Sequence, residues 1–305
     1  MVNVNKKMTI GRKGEYAFQI GLLAWPIVQF IIFYIVVNLN SFKLAFSGAD
    51  GFTVEHFKYI FSENMFPQVL QALGTSLLFY VITTVISIPL GLLFAYYIYK
   101  KGFGGKLFRF FLFLPSILSA MVMVVLFTGF MDIAAGDILH DWFGADTADK
   151  AILNMTQKSS YGAIIFFNLW VNFGTTTLIY SNKMGELSPE MIEAAELDGA
   201  NHFQEFFHVV LPFTFPTISV FLVTGLATIF ANQYNLFSFY GGSIGFDAGT
   251  MGYFIFNLVQ APAAAGLWDA VDFNRASAIS IMITMIVVPI TLTARWALDK
   301  YGPQD

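Results

Sequence analysis

The sequence predicts an all-α membrane protein with six membrane-spanning helices. Apolar residues make up 56% of its 305 residues and charged residues only 12%, a balance far from that of soluble domains. A bilayer core about 30 Å thick requires roughly 20 apolar residues at 1.5 Å each, and six stretches reach that length. They cover residues 17–38, 75–99, 110–131, 161–180, 215–237 and 276–297.

The first stretch follows a cluster of basic residues between positions 6 and 13, an arrangement also found in signal peptides. Its apolar run is longer than the roughly 7 to 15 residues of a signal-peptide core, so we interpret it as a retained helix. Prolines inside the stretches, such as Pro26, Pro89 and Pro115, are tolerated where neighbouring helices satisfy the freed carbonyls. They predict kinks in a packed bundle.

Lysine and arginine are unevenly distributed among the connecting segments. With six spans, eleven of them lie on the side that holds both termini and five on the other side. Basic residues near span ends remain in the cytoplasm, so both termini are expected there. The predicted organisation is a cytoplasmic tail (residues 1–16), a transmembrane domain (residues 17–297) and a second cytoplasmic tail (residues 298–305), with a cytoplasmic loop at about residues 183–212.

That loop is rich in acids, and its local signals predict two short helices. Ser188 is suited to cap a helix, Pro189 to its first position, and the helix should end near Leu197. Gly199 then provides a residue that can adopt positive φ. Asn201, with a glutamine three residues later, predicts a capping box and a second helix that ends before residue 212.

The first loop helix has the features of a docking surface. Ala194 and Ala195 permit close approach, Met191 and Leu197 offer apolar contacts, and Glu193 offers a carboxylate to a basic partner. An amphipathic helix lying on its own bundle would show the same helical pattern. The pattern alone leaves both interpretations open.

The loop also carries a motif of fixed spacing, made up of Glu193, Ala194, Ala195, Gly199, Val209, Leu211 and Pro212. It resembles the EAA signature of ABC importer membrane subunits, with Val209 in place of the usual isoleucine as the one departure. Asp198 before the glycine is similar to the variant in carbohydrate importers. Residues 108–127 and 276–292 also resemble spans of those permeases, and the resemblance extends from about residue 73 onward.

The resemblance implies a six-helix bundle of the type I ABC importer permease kind with a cytoplasmic coupling helix. In such permeases, this helix fits a cleft of a separate ATPase, so Glu193 would be the ionic contact and Gly199 the bend. The implied partners are a second, similar permease that forms a heterodimer, two ATPase subunits that hold ATP and Mg, and an extracytoplasmic sugar-binding protein. The chain would bind no cofactor and would lie in a bacterial plasma membrane.

No catalytic or metal-binding motif is evident in the sequence. The glycine-rich turn at residues 101–106 (KGFGGK) lacks the spacing of a Walker A loop, so the chain is not expected to be an enzyme. Cysteine is absent. His140 lies near four carboxylates, where a solvated acidic loop is expected and a divalent cation is the alternative.

Polar side chains on the two spans that flank the loop are candidates for a solute pathway. Asn168, Asn172 and Thr175 share one helix face, and Thr228 and Asn232 lie on another. Amides and hydroxyls suit a neutral, hydroxyl-rich solute, but helix-to-helix hydrogen bonds would use the same residues. By resemblance to maltose-type permeases, a sugar would be held at this depth.

The sequence therefore favours a permease subunit of an ABC carbohydrate importer, with no nucleic-acid partner. Two alternatives are a secondary, ion-coupled transporter and an ABC importer for another solute, such as a polyol phosphate. A membrane scaffold or sensor that uses the acidic helix to bind a partner is a third. Ion-coupled carriers usually place ionisable groups inside their spans, whereas these spans hold almost none.

Overall fold

A computed structural model describes residues 12–48, 51–131, 160–241, 249–264 and 270–303. Helices make up almost all of these residues, and the one sheet among them is a two-stranded hairpin, so the predicted all-α class is confirmed. The first half of the chain contains α1 (Arg12–Gln29), a π-helical segment (Phe30–Val36), α2 (Val37–Ala45), β1 (Ser47–Gly48), β2 (Gly51–Phe52), α3 (Glu55–Ile60), α4 (Phe66–Tyr99), α5 (Gly105–Ile117) and α6 (Ala120–Gly129). The second half contains α7 (Ser160–Met184), α8 (Pro189–Leu197), α9 (His202–Glu205), a second π-helical segment (Phe206–Val210), α10 (Leu211–Thr228), α11 (Leu236–Tyr240), α12 (Met251–Ala264) and α13 (Ala270–Tyr301).

Several helices are long and apolar enough to cross a bilayer. Helix α4 has 34 residues and rises about 50 Å, so it extends beyond a hydrocarbon core of about 30 Å. The five continuous spans among the described residues are Phe18–Ala45, Phe66–Tyr99, Ser160–Met184, His202–Thr228 and Phe273–Tyr301.

The third predicted span is not one straight helix. The segments Leu107–Ile117 and Ala120–Gly129 meet at an angle of 101°. Leu118 and Ser119 between them have extended ψ values of 150° and 137°. Pro115 precedes the break and removes one backbone donor from the last turn of α5, so the predicted span at residues 110–131 is a bent pair of helices, with the kink that its proline predicts.

The helix found at the fifth predicted span begins and ends at residues other than those predicted. Helix α10 ends at Thr228, and the chain then turns, with Tyr234 and Asn235 at φ values of 49° and 59°, before α11. At the other end, the second loop helix does not stop before Pro212, because the π-helical segment joins it directly to α10. Pro212 lies in the first turn of α10, directly after the π-helical segment.

The centre of the bundle is formed where α4, α5 and α7 pack together. A Cβ atom added to Gly174 would overlap the backbone of Leu112 and lie 2.9 Å from Cα of Phe113, so α7 and α5 touch backbone to backbone. On the α4 side, the buried ring of Tyr180 packs beside Gly91 and Ala95. By contrast, the most apolar window of the first span has no buried residue, and its side chains are available to lipid or to another chain.

The end of the bundle opposite α8 is closed by the β1–β2 hairpin. The carbonyl of Ser47 lies 2.9 Å from Nε2 of the buried His56 and accepts a hydrogen bond of 2.9 Å from Asn274 of α13. These contacts join the hairpin to α3 and to the last span.

Candidate functional site

The loop helix α8 forms as its local signals predict. It runs from Pro189 to Leu197, and Ser188 before it has extended backbone, although no side-chain cap forms. Gly199 adopts φ +77°. The predicted capping box is present: Oδ1 of Asn201 accepts from the amide of Gln204 at 3.0 Å, and Oε1 of Gln204 accepts from the amide of Asn201 at 2.9 Å.

The outer face of this loop exposes both apolar side chains and carboxylates. No residue of α8 is buried, and Glu193 and Ala194 are exposed while Ala195 is half-buried. The apolar side chains are unusually open for their type, with Leu197 89% exposed and Phe203 76% exposed. Exposed apolar side chains of this size on a loop indicate a contact surface for another protein.

The inner side of the loop is fixed to the bundle by an ion pair. Nζ of Lys100, at the end of α4, lies 2.7 Å from Oε1 of Glu205, whose side chain is only 2% exposed, and 3.8 Å from Glu196. The hydroxyl of Tyr96 also donates to the carbonyl of His202 at 3.3 Å. The buried position of Glu205 was not predicted, because in the sequence it is one acid among several in the loop.

The remaining motif residues lie at the two ends of this arrangement. Asp198 is the exposed C-cap of α8. Leu211 and Pro212 begin α10, and Leu211 packs against the buried cluster that contains Tyr180 and Val210. The motif therefore covers both the exposed helix and the start of the span that it connects to.

A polar cavity of about 650 Å³ lies deeper in the bundle, between α4, α7, α10 and the turn at residues 229–235. Its polar lining comes from Tyr80, Thr83, Thr84, Ser87, Asn168, Asn172, Thr176, Tyr180, Asn232, Gln233, Tyr234, Asn235 and Ser238. No charged side chain is among the lining residues in the described part of the chain. Such a cavity can hydrogen-bond a neutral solute and stack against it.

Asn168 holds the turn that forms one wall of this polar cavity. It is 6% exposed, and its amide nitrogen donates to the carbonyls of Ile164 and Tyr234, both at 2.9 Å. Its amide oxygen accepts from Asn235 at 2.8 Å. Asn168 thus uses its amide on the protein itself and fixes the position of the polar turn.

Asn172 and Asn232 are more available to a solute. Both side chains are exposed. Nδ2 of Asn172 donates to the carbonyl of Asn168 at 2.8 Å, and Oδ1 of Asn232 accepts from the amide of Tyr234 at 2.9 Å. No described residue bonds the other polar atom of either amide, so each has hydrogen-bonding capacity that faces the cavity.

The family model of the binding-protein-dependent transport system inner membrane component matches residues 87–303. The chain belongs to this family. Among its relatives, the probable ABC transporter permease protein YurN of Bacillus subtilis is 27% identical over 96% of each chain. The multiple sugar-binding transport system permease protein MsmF of Streptococcus mutans is 23% identical over 86% of this chain and 88% of its own.

A solved structure supports the fold of this family member. A chain of a bacterial ABC transporter involved in the import of the acidic polysaccharide alginate superposes with a TM-score of 0.75 and 22% identity, covering 94% of this chain and 96% of that chain. The protein is a multi-pass membrane protein with the type I permease fold. The resemblance that rested on the loop motif is confirmed at the level of the family.

Two of the predicted pathway residues lie outside the cavity of this permease. Thr175 and Thr228 are exposed but do not line it. Thr228 directs its hydroxyl to the carbonyl of Thr224 at 3.0 Å. On α7, the neighbouring Thr176 lines the cavity instead.

Sequence reasoning missed the wall that α4 supplies. Thr83 and Thr84 follow Tyr80 by three and four residues and precede Ser87 by four and three, so all four residues share one helix face. That spacing is visible in the sequence and was a usable signal. The loop around His140 lies outside the described residues, and the described part of the chain contains no cluster of three or more potential metal ligands.

Proposed function

We propose that this family member is a permease subunit of an ATP-driven carbohydrate importer and forms half of its translocation pathway. The observation that carries the proposal is the uncharged cavity lined by hydroxyl, amide and aromatic side chains. Sugars present many hydroxyls and apolar ring faces, and these groups complement such a lining. The relative MsmF, named for multiple-sugar transport, supports the same substrate class.

The substrate class that best fits the cavity is a neutral oligosaccharide. A volume of about 650 Å³ falls within the range of about 300–1,000 Å³ that is usual for small-molecule sites. A phosphate or carboxylate brought into this cavity would lose its hydration without gaining a cation. A polyol phosphate or an acidic sugar is therefore disfavoured, and Asn172 and Asn232 are the proposed contacts.

The loop helix α8 is proposed to dock on a separate ATPase subunit. Glu193 would meet a basic residue there, Ala194 and Ala195 would allow close approach, and Met191 and Leu197 would fill apolar pockets. ATP and Mg would be bound by that partner. A second, different permease would complete the pathway, two ATPases would drive it, an extracytoplasmic binding protein would deliver the sugar, and both termini would be cytoplasmic.

The proposed mechanism is alternating access. Closure of the two ATPases would bring the coupling helices together, and the bundle would change from an inward-facing to an outward-facing state. ATP binding must favour one state by differential contacts. In this chain, those contacts would be made by the exposed surface of α8.

The decisive experiment is co-purification of the tagged chain from native membranes in mild detergent. Wild type is expected to bring an ATP-hydrolysing subunit with it. Glu193→Lys is expected to weaken that association, because a partly buried charge-assisted contact contributes about 1–3 kcal/mol. Glu63→Lys is the matched control, since it makes the same change at an exposed position at the other end of the bundle.

If no ATP-hydrolysing subunit accompanies wild type, and if uptake follows an ion gradient instead, the proposal is wrong. If both lysine variants lose the ATPase equally, the effect is one of charge or folding, and the docking role of Glu193 is wrong. Retention by wild type and Glu63→Lys, with loss in Glu193→Lys, supports the docking surface.

A further inference from the structure

A second, basic groove lies at the same end of the bundle as α8, separate from the polar cavity. It has a volume of about 920 Å³ and lies between the turn that joins α4 to α5 and the last turn of α7. Lys101, Gly104 and Arg109 form one wall, and Asn182 and Gly185 form the other. We call this feature the basic groove, and neither the proposed sugar pathway nor the α8 docking surface uses it.

The basic groove carries net positive charge. Lys101 and Arg109 are exposed, and neither forms an ion pair with a carboxylate in the described part of the chain. Glu186 is the acidic residue in the lining, but its carboxylate lies 2.8 Å from Nζ of Lys183 and is neutralised there. The two cations of the groove are therefore available to an anion.

The backbone that presents Lys101 is strained and fixed. Lys101 adopts φ +53° and Gly104 adopts φ +71°, and a left-handed conformation in a lysine costs on the order of 1 kcal/mol. The hydroxyl of Tyr97 donates to the carbonyl of Phe103 at 2.6 Å, and Gly102 packs against the Tyr97 ring so closely that a Cβ would lie 2.6 Å from its Cζ. Strain that is retained by such tight packing is typical of functional segments.

An exposed apolar face continues from the basic groove along α5. Phe103 at the tip of the turn is 100% exposed, Leu107 is 62% exposed, and Phe110 and Phe111 are 56% and 59% exposed. Arg109 directly precedes these two phenylalanines in the sequence. Basic residues that border an aromatic and aliphatic helix face match the two halves of a phospholipid, a charged headgroup and acyl chains.

We propose that the basic groove binds the headgroup of an anionic glycerophospholipid, with its acyl chains along the exposed face of α5. The phosphate would interact with Lys101 and Arg109. A free phosphate ion shares the headgroup chemistry, but the adjoining apolar face favours the lipid. The inference rests on the proposed function in one respect only, which is the side of the membrane that the basic groove faces. Lys100 of the same turn is paired with the α8 loop, so the groove lies on the side where α8 would meet the ATPase.

The test uses the assembled complex as purified from membranes, reconstituted in lipid nanodiscs that contain phosphatidylcholine with a minority of phosphatidylglycerol. Retained lipid is counted by native mass spectrometry. Wild type is expected to retain phosphatidylglycerol preferentially. Lys101→Gln combined with Arg109→Gln is expected to weaken retention about 30-fold, taking the usual contribution of each basic residue near an anionic lipid.

The matched control is Arg295→Gln combined with Lys300→Gln, which removes two exposed basic residues at the end of α13. It is expected to leave retention unchanged. Lys101→Arg combined with Arg109→Lys preserves the charge and is expected to keep the lipid, so a loss in the glutamine pair is not a folding effect. None of these readouts requires transport or ATP hydrolysis, so the lipid proposal and the proposed function can fail independently of each other.

Three results would overturn the lipid assignment. The first is equal retention by the Lys101/Arg109 glutamine pair and by the control pair. The second is displacement of the lipid by millimolar inorganic phosphate, which would indicate a soluble-anion site. The third is loss of the ATPase subunit from the glutamine pair while lipid retention is unchanged, which would make the groove a protein contact.

Discussion

Replacement of Lys100 by methionine is expected to loosen the loop that carries α8. Nζ of Lys100 lies 2.7 Å from the carboxylate of Glu205, which is only 2% exposed. The substitution keeps an apolar chain of similar length but removes the cation. The carboxylate would then remain buried, with Nδ1 of His202 at 3.9 Å, unless the loop opens to hydrate it.

The expected cost follows from the geometry. At 2.7 Å and an effective dielectric constant of about 20, Coulomb attraction is about 6 kcal/mol, and dehydration of the two ions offsets much of it. Removal of one member of a buried pair costs about 3–5 kcal/mol. Because Lys100 is 25% exposed and partly screened by water, we expect a loss of about 2–3 kcal/mol.

Hydrogen exchange measures this loss where it occurs. Amides of residues 189–210 should exchange about 30-fold faster or more in Lys100→Met, because local opening is favoured by that free energy. Lys183→Met is the control, since Lys183 pairs with Glu186 at a similar 2.8 Å but that carboxylate is 64% exposed. Its effect should be below about 1 kcal/mol. Equal acceleration in both variants would refute the argument that the buried Lys100–Glu205 pair stabilises the loop more than an exposed pair does.

Two further substitutions test the bundle and the cavity. Gly174→Ala should destabilise the permease by about 1–3 kcal/mol in thermal unfolding, because its Cβ would meet the backbone of Leu112. Gly162→Ala, on the same helix with open space around it, should be neutral or slightly stabilising, and a similar loss in both would contradict the close packing. Asn172→Leu should lower sugar uptake without loss of the assembled complex, whereas Thr175→Val, outside the cavity lining, should not. Uptake that is insensitive to Asn172→Leu would remove that residue from the pathway.

Local sequence signals predicted the start and end of α8 because every part of the signal lies within a few residues. Pro189 begins the helix, Gly199 takes the positive φ beyond it, and Asn201 caps the next. Spans one, two, four and six were likewise visible as long apolar runs. Neither inference needed information from distant parts of the chain.

The turn after α10 could not be predicted in this way because distant residues hold it. Asn168 bonds to Tyr234 across 66 positions, and Thr250 donates to the carbonyl of Asn232 at 3.0 Å. Gly252 packs against the turn so closely that a Cβ atom added to Gly252 would lie 2.7 Å from the carbonyl carbon of Ala231. No glycine or proline within residues 229–235 marks the end of the helix, so an apolar run was wrongly extended through them.

Asn168 shows the same limit at the level of a single residue. Its spacing with Asn172 correctly predicted a shared polar face, but spacing cannot tell a solute contact from a structural hydrogen bond. In the folded chain its amide is used by Ile164, Tyr234 and Asn235. An effect of Asn168→Leu on transport would therefore act through the position of the turn.

The loop helix and the polar cavity are connected by two of the same helices. The loop continues through the π-helical segment into α10, and the Lys100–Glu205 ion pair fixes it to the end of α4. The middle of α4 and α10 both line the cavity. Phe206 and Val210 of the π-helical segment are buried in the cluster around Tyr180, so that segment cannot absorb a displacement without disrupting packing. A partner that moves α8 would therefore act on the cavity walls through this buried cluster, which also contains Tyr180 of α7.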